Sequence, residues 1–180
     1  MKCFSLAVLL SFLIPDLVEE IEMAVKPIPD GYHTATPYLI VNDAAKAIEF
    51  YKKAFNATEL MRMGDGTKIH HAEIRIGTSP IMLADECKEM DALSPATIGG
   101  SPITIMLYVE NVDKLVEQAV SAGAKLVRPV ADQFYGDRTG GITDPFGHKW
   151  YIATHIEDVS QEELGKRAAE AQKQKVGAKA

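Results

Sequence analysis

An α+β fold, built from two βαβββ modules that form a curved mixed sheet around a cleft, is predicted by three features of this sequence. Ile103, Ile105, Leu107 and Val109 alternate with Thr104, Met106 and Tyr108, the pattern of a strand with two different faces. Asn111 then supplies a helix cap, and Val112, Leu115, Val116, Ala119 and Val120 make one apolar stripe at helical spacing. The same order occurs earlier: Leu39 and Val41 alternate with Tyr38 and Ile40, Asp43 caps, and Ala44, Ala47, Ile48, Tyr51 and Phe55 form the stripe. Landmarks recur at 68, 67 and 69 residues, from Val41 to Val109, Asn56 to Gly123 and Met82 to Tyr151, and so near-constant an offset marks an internal duplication.

In chain order, Lys2 followed by the apolar run Phe4–Ile14 has the charged start of a secretory signal. The run is too short to span a bilayer, and no small-residue cleavage site follows. Three readings stand: an upstream start adding a non-native extension before Met23 (the preferred one), a targeting segment, or an extra helix. Residues 1–30 are thus an N-terminal extension and lead-in with Pro27 and Pro29.

Residues 31–86 form module one. Asn56 and its counterpart Gly123 are the residue types that tolerate the left-handed conformation ending a helix. Thr58–Met63, Lys68–Ile76 and Ser79–Asp85 read as strands, joined by turns at Gly64-Asp-Gly66 and Gly77-Thr78. Residues 87–100, polar with Pro95, Gly99 and Gly100, are a linker, and 101–158 are module two. There Lys125–Val130 is a strand, Ala131–Asp137 an irregular loop, Arg138–Thr143 a strand, Asp144–Gly147 a turn, and His148–Thr154 the last strand. Residues 159–180 open with the capping box Ser160–Glu163 and continue into a lysine-rich tail expected to fray.

With 180 residues, 47% of them hydrophobic, the chain can bury a real core. Its net charge of −6 argues against nucleic acid as a partner. Cys3 and Cys87 alone make no disulfide framework and fit a reducing, cytoplasmic setting, although the N-terminal run leaves secretion open. A sheet covered on one face by a single helix leaves its other face open. Two such faces together enclose a mostly apolar trough suited to a small molecule, within one chain or across a homodimer, with no membrane involved.

LIVNDAAKAIEFYKKAF in module one and DPFGHKWYIATH in module two resemble the vicinal oxygen chelate superfamily, the glyoxalase, bleomycin-resistance and extradiol-dioxygenase fold. His71-Ala-Glu-Ile-Arg-Ile-Gly77, Ile81–Glu86 and Gln133–Arg138 are most similar to its PhnB-like branch, named after a protein of bacterial phosphonate operons. The resemblance, from about Gly31 to about Glu163, implies a divalent metal held by His and Glu on the first and fourth strand of each module. Those places fall at Thr36, Met82, Thr104 and Tyr151, none a good metal ligand, so no metal and no other cofactor is expected.

His71 and Glu73 share a strand face and are the best acid–base pair available, or else a polar row paired across the sheet, for example with Arg138. Arg138 offers a bidentate grip on a carboxylate or phosphonate from a loop that includes Gln133, or a structural bridge. Tyr38, Tyr108 and Tyr151 share the inward face with Thr36, Met82 and Thr104 and either contact a ligand or line the trough. The expected function is binding, with or without turnover, of a small polar organic molecule. The alternative is a metal-dependent lyase, isomerase or dioxygenase-type enzyme using a displaced site around His71 and Glu73.

Overall fold

Residues 25–177 are described by the computed structural model; the apolar N-terminal run and the three readings of it lie outside them. Module one is β1 (Tyr38–Val41), α1 (Ala44–Phe55), β2 (Thr58–Gly64), β3 (Ile69–Ile76) and β4 (Ser79–Asp85). A short 3-10 turn at Lys88–Met90 and α2 (Pro95–Ile98) bridge to module two, so the polar linker carries structure of its own. Module two is β5 (Thr104–Tyr108), α3 (Val112–Ser121), β6 (Lys125–Asp132), β7 (Asp137–Thr143) and β8 (Lys149–His155), and α4 (Gln161–Gly177) follows.

Each module makes one mixed four-stranded sheet, ordered β1-β4-β3-β2 and β5-β8-β7-β6, with β1–β4 and β5–β8 parallel and the remaining pairs antiparallel. The duplication extends to the local chemistry. Asp43 Oδ1 accepts from Lys46 N at 3.0 Å, and Asn111 Oδ1 accepts from Lys114 N at 2.9 Å, so each helix starts on a side-chain cap. The last strand of each module braces the same place: Ala44 N donates to Asp85 Oδ1 at 2.8 Å, and Val112 N donates to Thr154 Oγ1 at 2.9 Å. Asn56 (φ 55°) and Gly123 (φ 117°) both leave their helices in the left-handed region.

Every member of the first apolar stripe is buried. In the second, Val112, Val116 and Ala119 are buried, while Val120 turns toward solvent. Helices α1 and α3 pack against each other, and no strand of one sheet contacts a strand of the other among the described residues. The modules also share an aromatic cluster in which Trp150 of β8 lies 4.8 Å from Phe55 and 5.6 Å from Tyr51, centroid to centroid.

Two expectations change. The loop expected at Ala131–Asp137 is shorter, because β6 continues through Ala131, paired with Thr139, to Asp132, paired with Arg138. The tail expected to fray after Gly165 is helical to Gly177, its exposed face laced by Glu162–Lys166 and Glu163–Arg167 pairs at i,i+4 spacing. Ser160 does cap α4, accepting from Glu163 N at 3.2 Å. No helix among the described residues is long and apolar enough to cross a membrane.

Candidate functional site

In each sheet one face meets the helix and the other is open, and cross-strand pairing sets out the open face in rows. Tyr38, Met82, Glu73 and Met61 lie side by side across module one; Met106, Tyr151, Gly141 and Arg128 do so across module two. The carboxylate at the third place of the first row is replaced by a glycine in the second. There a Cβ would stand 3.0 Å from the Tyr151 ring and 3.1 Å from Arg128 Cβ, so the absent side chain leaves room for the tyrosine.

The open face of module one holds a continuous hydrogen-bonded chain. Tyr38 Oη lies 2.9 Å from His71 Nδ1, His71 Nε2 lies 3.1 Å from Glu73 Oε1, and Tyr32 Oη donates to Glu73 Oε2. Strand parity explains the juxtaposition: Ala72 and Ile74 are buried beneath α1, which turns His71 and Glu73 outward, where both side chains are about one-fifth exposed. The Tyr32 hydroxyl and then His71 hold the Glu73 carboxyl below its ordinary range. Burial and then the Glu73 charge push the Tyr38 hydroxyl up, so Tyr38 stays a proton donor at neutral pH. Glu73 and Met82 line a cavity of about 540 Å³ whose opposite wall is the lead-in segment, Pro27, Pro29, Tyr32 and His33 among it. Tyr32 was not anticipated as a site residue. It lies 41 residues from Glu73, in a segment with no periodic pattern to show where it packs.

The other anticipated residues separate into several environments. Thr36, Tyr38 and Thr104 line a cavity of about 630 Å³ between the edge strands β1 and β5, closed at one side by Leu93, Pro95 and Ile98 of the linker. Tyr151 lies on the open face of module two under the Arg128 guanidinium, 6.0 Å from its ring centroid. Tyr108 reaches across the same face and donates to Asp137 Oδ2 at 2.8 Å. Thr36, Met82, Thr104 and Tyr151 therefore do not converge on one cavity within a single chain. The modules meet through their helices, and of the open-face residues only those at the β1 and β5 edges, Tyr38 and Met106 among them, share a cavity.

Gln133 and Arg138 do not overhang a trough mouth. The short β6–β7 turn puts Arg138 on the helix side of β7, in line with Gly140 and Ile142. There it grips Asp113 through Nε and Nη2 at 2.8 Å each, and Asp132 through Nη1 at 2.7 Å. This is the structural bridge, not a ligand clamp, and it lies in module two, far in the fold from a pairing with His71. Gln133 closes the turn, accepting from Arg128 Nη2 at 2.6 Å and donating to the Ala131 carbonyl at 2.9 Å.

The residues at the four places where the resemblance implies metal ligands are two hydroxyls, a thioether and a phenol, a donor set unsuited to a divalent ion that prefers imidazole and carboxylate. Among the described residues no three His, Cys, Asp or Glu side chains gather as a metal-binding group.

A family model described as the Glyoxalase/Bleomycin resistance protein/Dioxygenase superfamily matches residues 32–152. Uncharacterized protein Mb0911c of Mycobacterium bovis is 42% identical over 133 residues, 72% of this chain and 88% of that protein. The X-ray structure of the Arabidopsis thaliana At5g48480 gene product is similar with a TM-score of 0.56 and 29% identity, over 68% of this chain and 98% of that one. Fosfomycin resistance protein FosX from Mesorhizobium loti shares the fold at a TM-score of 0.52 and 16% identity, over 73% of this chain and 95% of its own.

Proposed function

The chain belongs to the Glyoxalase/Bleomycin resistance protein/Dioxygenase superfamily, and from that premise we propose that it binds a small polar organic molecule on the open faces of its modules, anchored at Tyr38, His71 and Glu73 and without the superfamily's four-ligand metal site. The observation that supports this reading most is the chain Tyr38–His71–Glu73–Tyr32 beside a cavity of about 540 Å³. The ionised Glu73 orients the imidazole, and Tyr38 and Tyr32 remain donors. The same pair supplies what proton transfer to or from a bound ligand requires.

Tyr108, Tyr151, Thr36, Met82 and Thr104 are proposed ligand contacts contributed by the open faces, with residues 31–158 acting as the binding unit. Membership of the PhnB-like branch belongs to the same proposal. So does a cytoplasmic homodimer that brings module-one and module-two faces together; Cys87, a free thiol among the described residues, fits a reducing compartment.

A thermal-shift screen of phosphonates, antibiotics and small organic acids tests the reading. A ligand that stabilises the protein should lose its effect in His71→Ala and Glu73→Gln, while both variants keep the wild-type melting profile without ligand. The protein should also lack activity on the methylglyoxal–glutathione adduct. Elemental analysis finding one tight divalent ion per chain would overturn this in favour of a metal-dependent lyase, isomerase or dioxygenase with a displaced site around His71 and Glu73.

A further inference from the structure

The open face of module two carries a second polar cluster, which the module-one reading does not use. Asp137 is buried and accepts two hydrogen bonds, from Tyr108 Oη at 2.8 Å and from His155 Nδ1 at 2.8 Å. Asp137 and His155 are cross-strand partners, and Tyr108 and Thr139 both pair with Ala153 between them. For its hydroxyl to reach Asp137, two strands away, the Tyr108 ring must cross β8 above Ala153, a small residue that is fully buried although it faces the open side. Thr139 lies next in that row, between Ala153 and Ala131. It is 2% exposed, and its Oγ1 has no hydrogen-bond partner among the described residues.

Each Asp137 oxygen accepts one of these hydrogen bonds, and the cluster keeps two donors that a ligand can use, His155 Nε2 and the Thr139 hydroxyl. His155 Nε2 has one partner among the described residues, Asp158 Oδ1 at 3.0 Å, on a side chain fully exposed to water. A contact of that kind contributes little and is readily exchanged. Asp137 and then Asp158 raise the His155 pKa, which favours the imidazolium with both nitrogens donating. Thr139 adds a buried hydroxyl that costs free energy while it stays unpaired.

We propose that this cluster is a binding site for a small organic carboxylate: His155, oriented by Asp137, donates to the carboxylate in place of Asp158, Thr139 provides a second donor, and the ligand body lies against Tyr108. Asp158 is the built-in stand-in for the ligand's charge. The site shares Tyr108 with the ligand contacts proposed above and goes beyond that reading in resting on His155, Asp137 and Thr139.

Benzoate is the probe, benzamide its uncharged control, and the readout is the set of histidine imidazole resonances in NMR spectra of the full chain. Benzoate should shift the His155 resonances saturably, and benzamide should not. His155→Gln should abolish the benzoate-induced shifts of the Asp137 and Thr139 backbone amides, which report on the site without the imidazole. Asp158→Asn, at a fully exposed position that leaves the fold intact, should tighten binding about two- to fivefold by removing the internal competitor. Equal effects of benzoate and benzamide, unchanged or weaker binding in Asp158→Asn, or shifts confined to His71 would overturn the proposal; the last result would leave the module-one site standing.

Discussion

Tyr51 of α1 donates its hydroxyl to Asp144 of the β7–β8 turn at 2.8 Å, joining the two modules across 93 residues of sequence inside the core. Asp144 also accepts from Trp150 Nε1, Phe146 N and His148 N, each at 2.9 Å, so a buried charge is held by four donors. Burial, then the Asp144 charge, pushes the Tyr51 hydroxyl well above its ordinary pKa, so the proton stays in place. Tyr51→Phe keeps the ring packing and removes one donor. The expected cost is about 1–3 kcal/mol, or a melting temperature lower by roughly 2–12 °C. Asp144→Ala, which orphans all four donors and opens a cavity, should cost more. Calorimetry giving the reverse order would show that the contact is incidental.

Tyr32→Phe isolates the lead-in segment's part in the module-one site. Because the Tyr32 hydroxyl is the largest cause of the lowered Glu73 pKa, its loss should let that carboxyl rise toward the ordinary glutamate value. Carbon-detected NMR titration of the Glu73 side chain measures this directly. An unmoved titration would mean that the segment does not lie on the open face in solution.

The fold was readable because it depends on periodicity and on a few residue types with strong local preferences. Alternation assigned Leu39, Val41 and Leu107 to the helix side, and all three are buried. Asp43, Asn111, Asn56 and Gly123 marked the helix ends by chemistry that acts within four residues. The site was less readable because its contacts join distant positions: Tyr32 to Glu73, and His155 to Asp137 on a neighbouring strand. For Arg138 a usable signal existed. Counting back by twos from Ile142 through Gly140 puts it on the helix side, but that count is lost once Ala131–Asp137 is read as a loop.

Stability should depend on pH through His155. Its pKa in the folded protein is above the ordinary imidazole value of 6.5, chiefly because Nδ1 is hydrogen-bonded to Asp137. The folded state therefore holds a proton that the unfolded chain releases. The contribution is complete below the ordinary value and is lost as pH rises through the raised one. Melting temperature should fall across that window, and the fall should flatten in His155→Gln. A profile that declines equally in wild type and variant would assign the effect to other groups.

The exposed apolar side chains of the open faces carry the last prediction. Tyr108 (63% exposed), Met63 (55%) and Met106 (42%) stand out from the open faces of two sheets whose opposite faces carry the buried core. Monomeric proteins seldom leave contiguous apolar surface of this extent in water. A second copy is the partner that the duplication suggests: module one of one chain and module two of another have matched rows, with Glu73 in the first where Gly141 stands in the second. Joining them removes the exposed methionines and tyrosines from water at about 25 cal/mol per Å² of apolar surface, before the cost of association is subtracted. Sedimentation should give a dimer whose melting temperature rises with protein concentration. Met63→Lys, on β2 opposite His71, adds a charge in each copy where the faces meet and should yield monomers with an unchanged circular dichroism spectrum. Wild-type protein that sediments as a monomer at every concentration would mean that these faces are left for ligand alone.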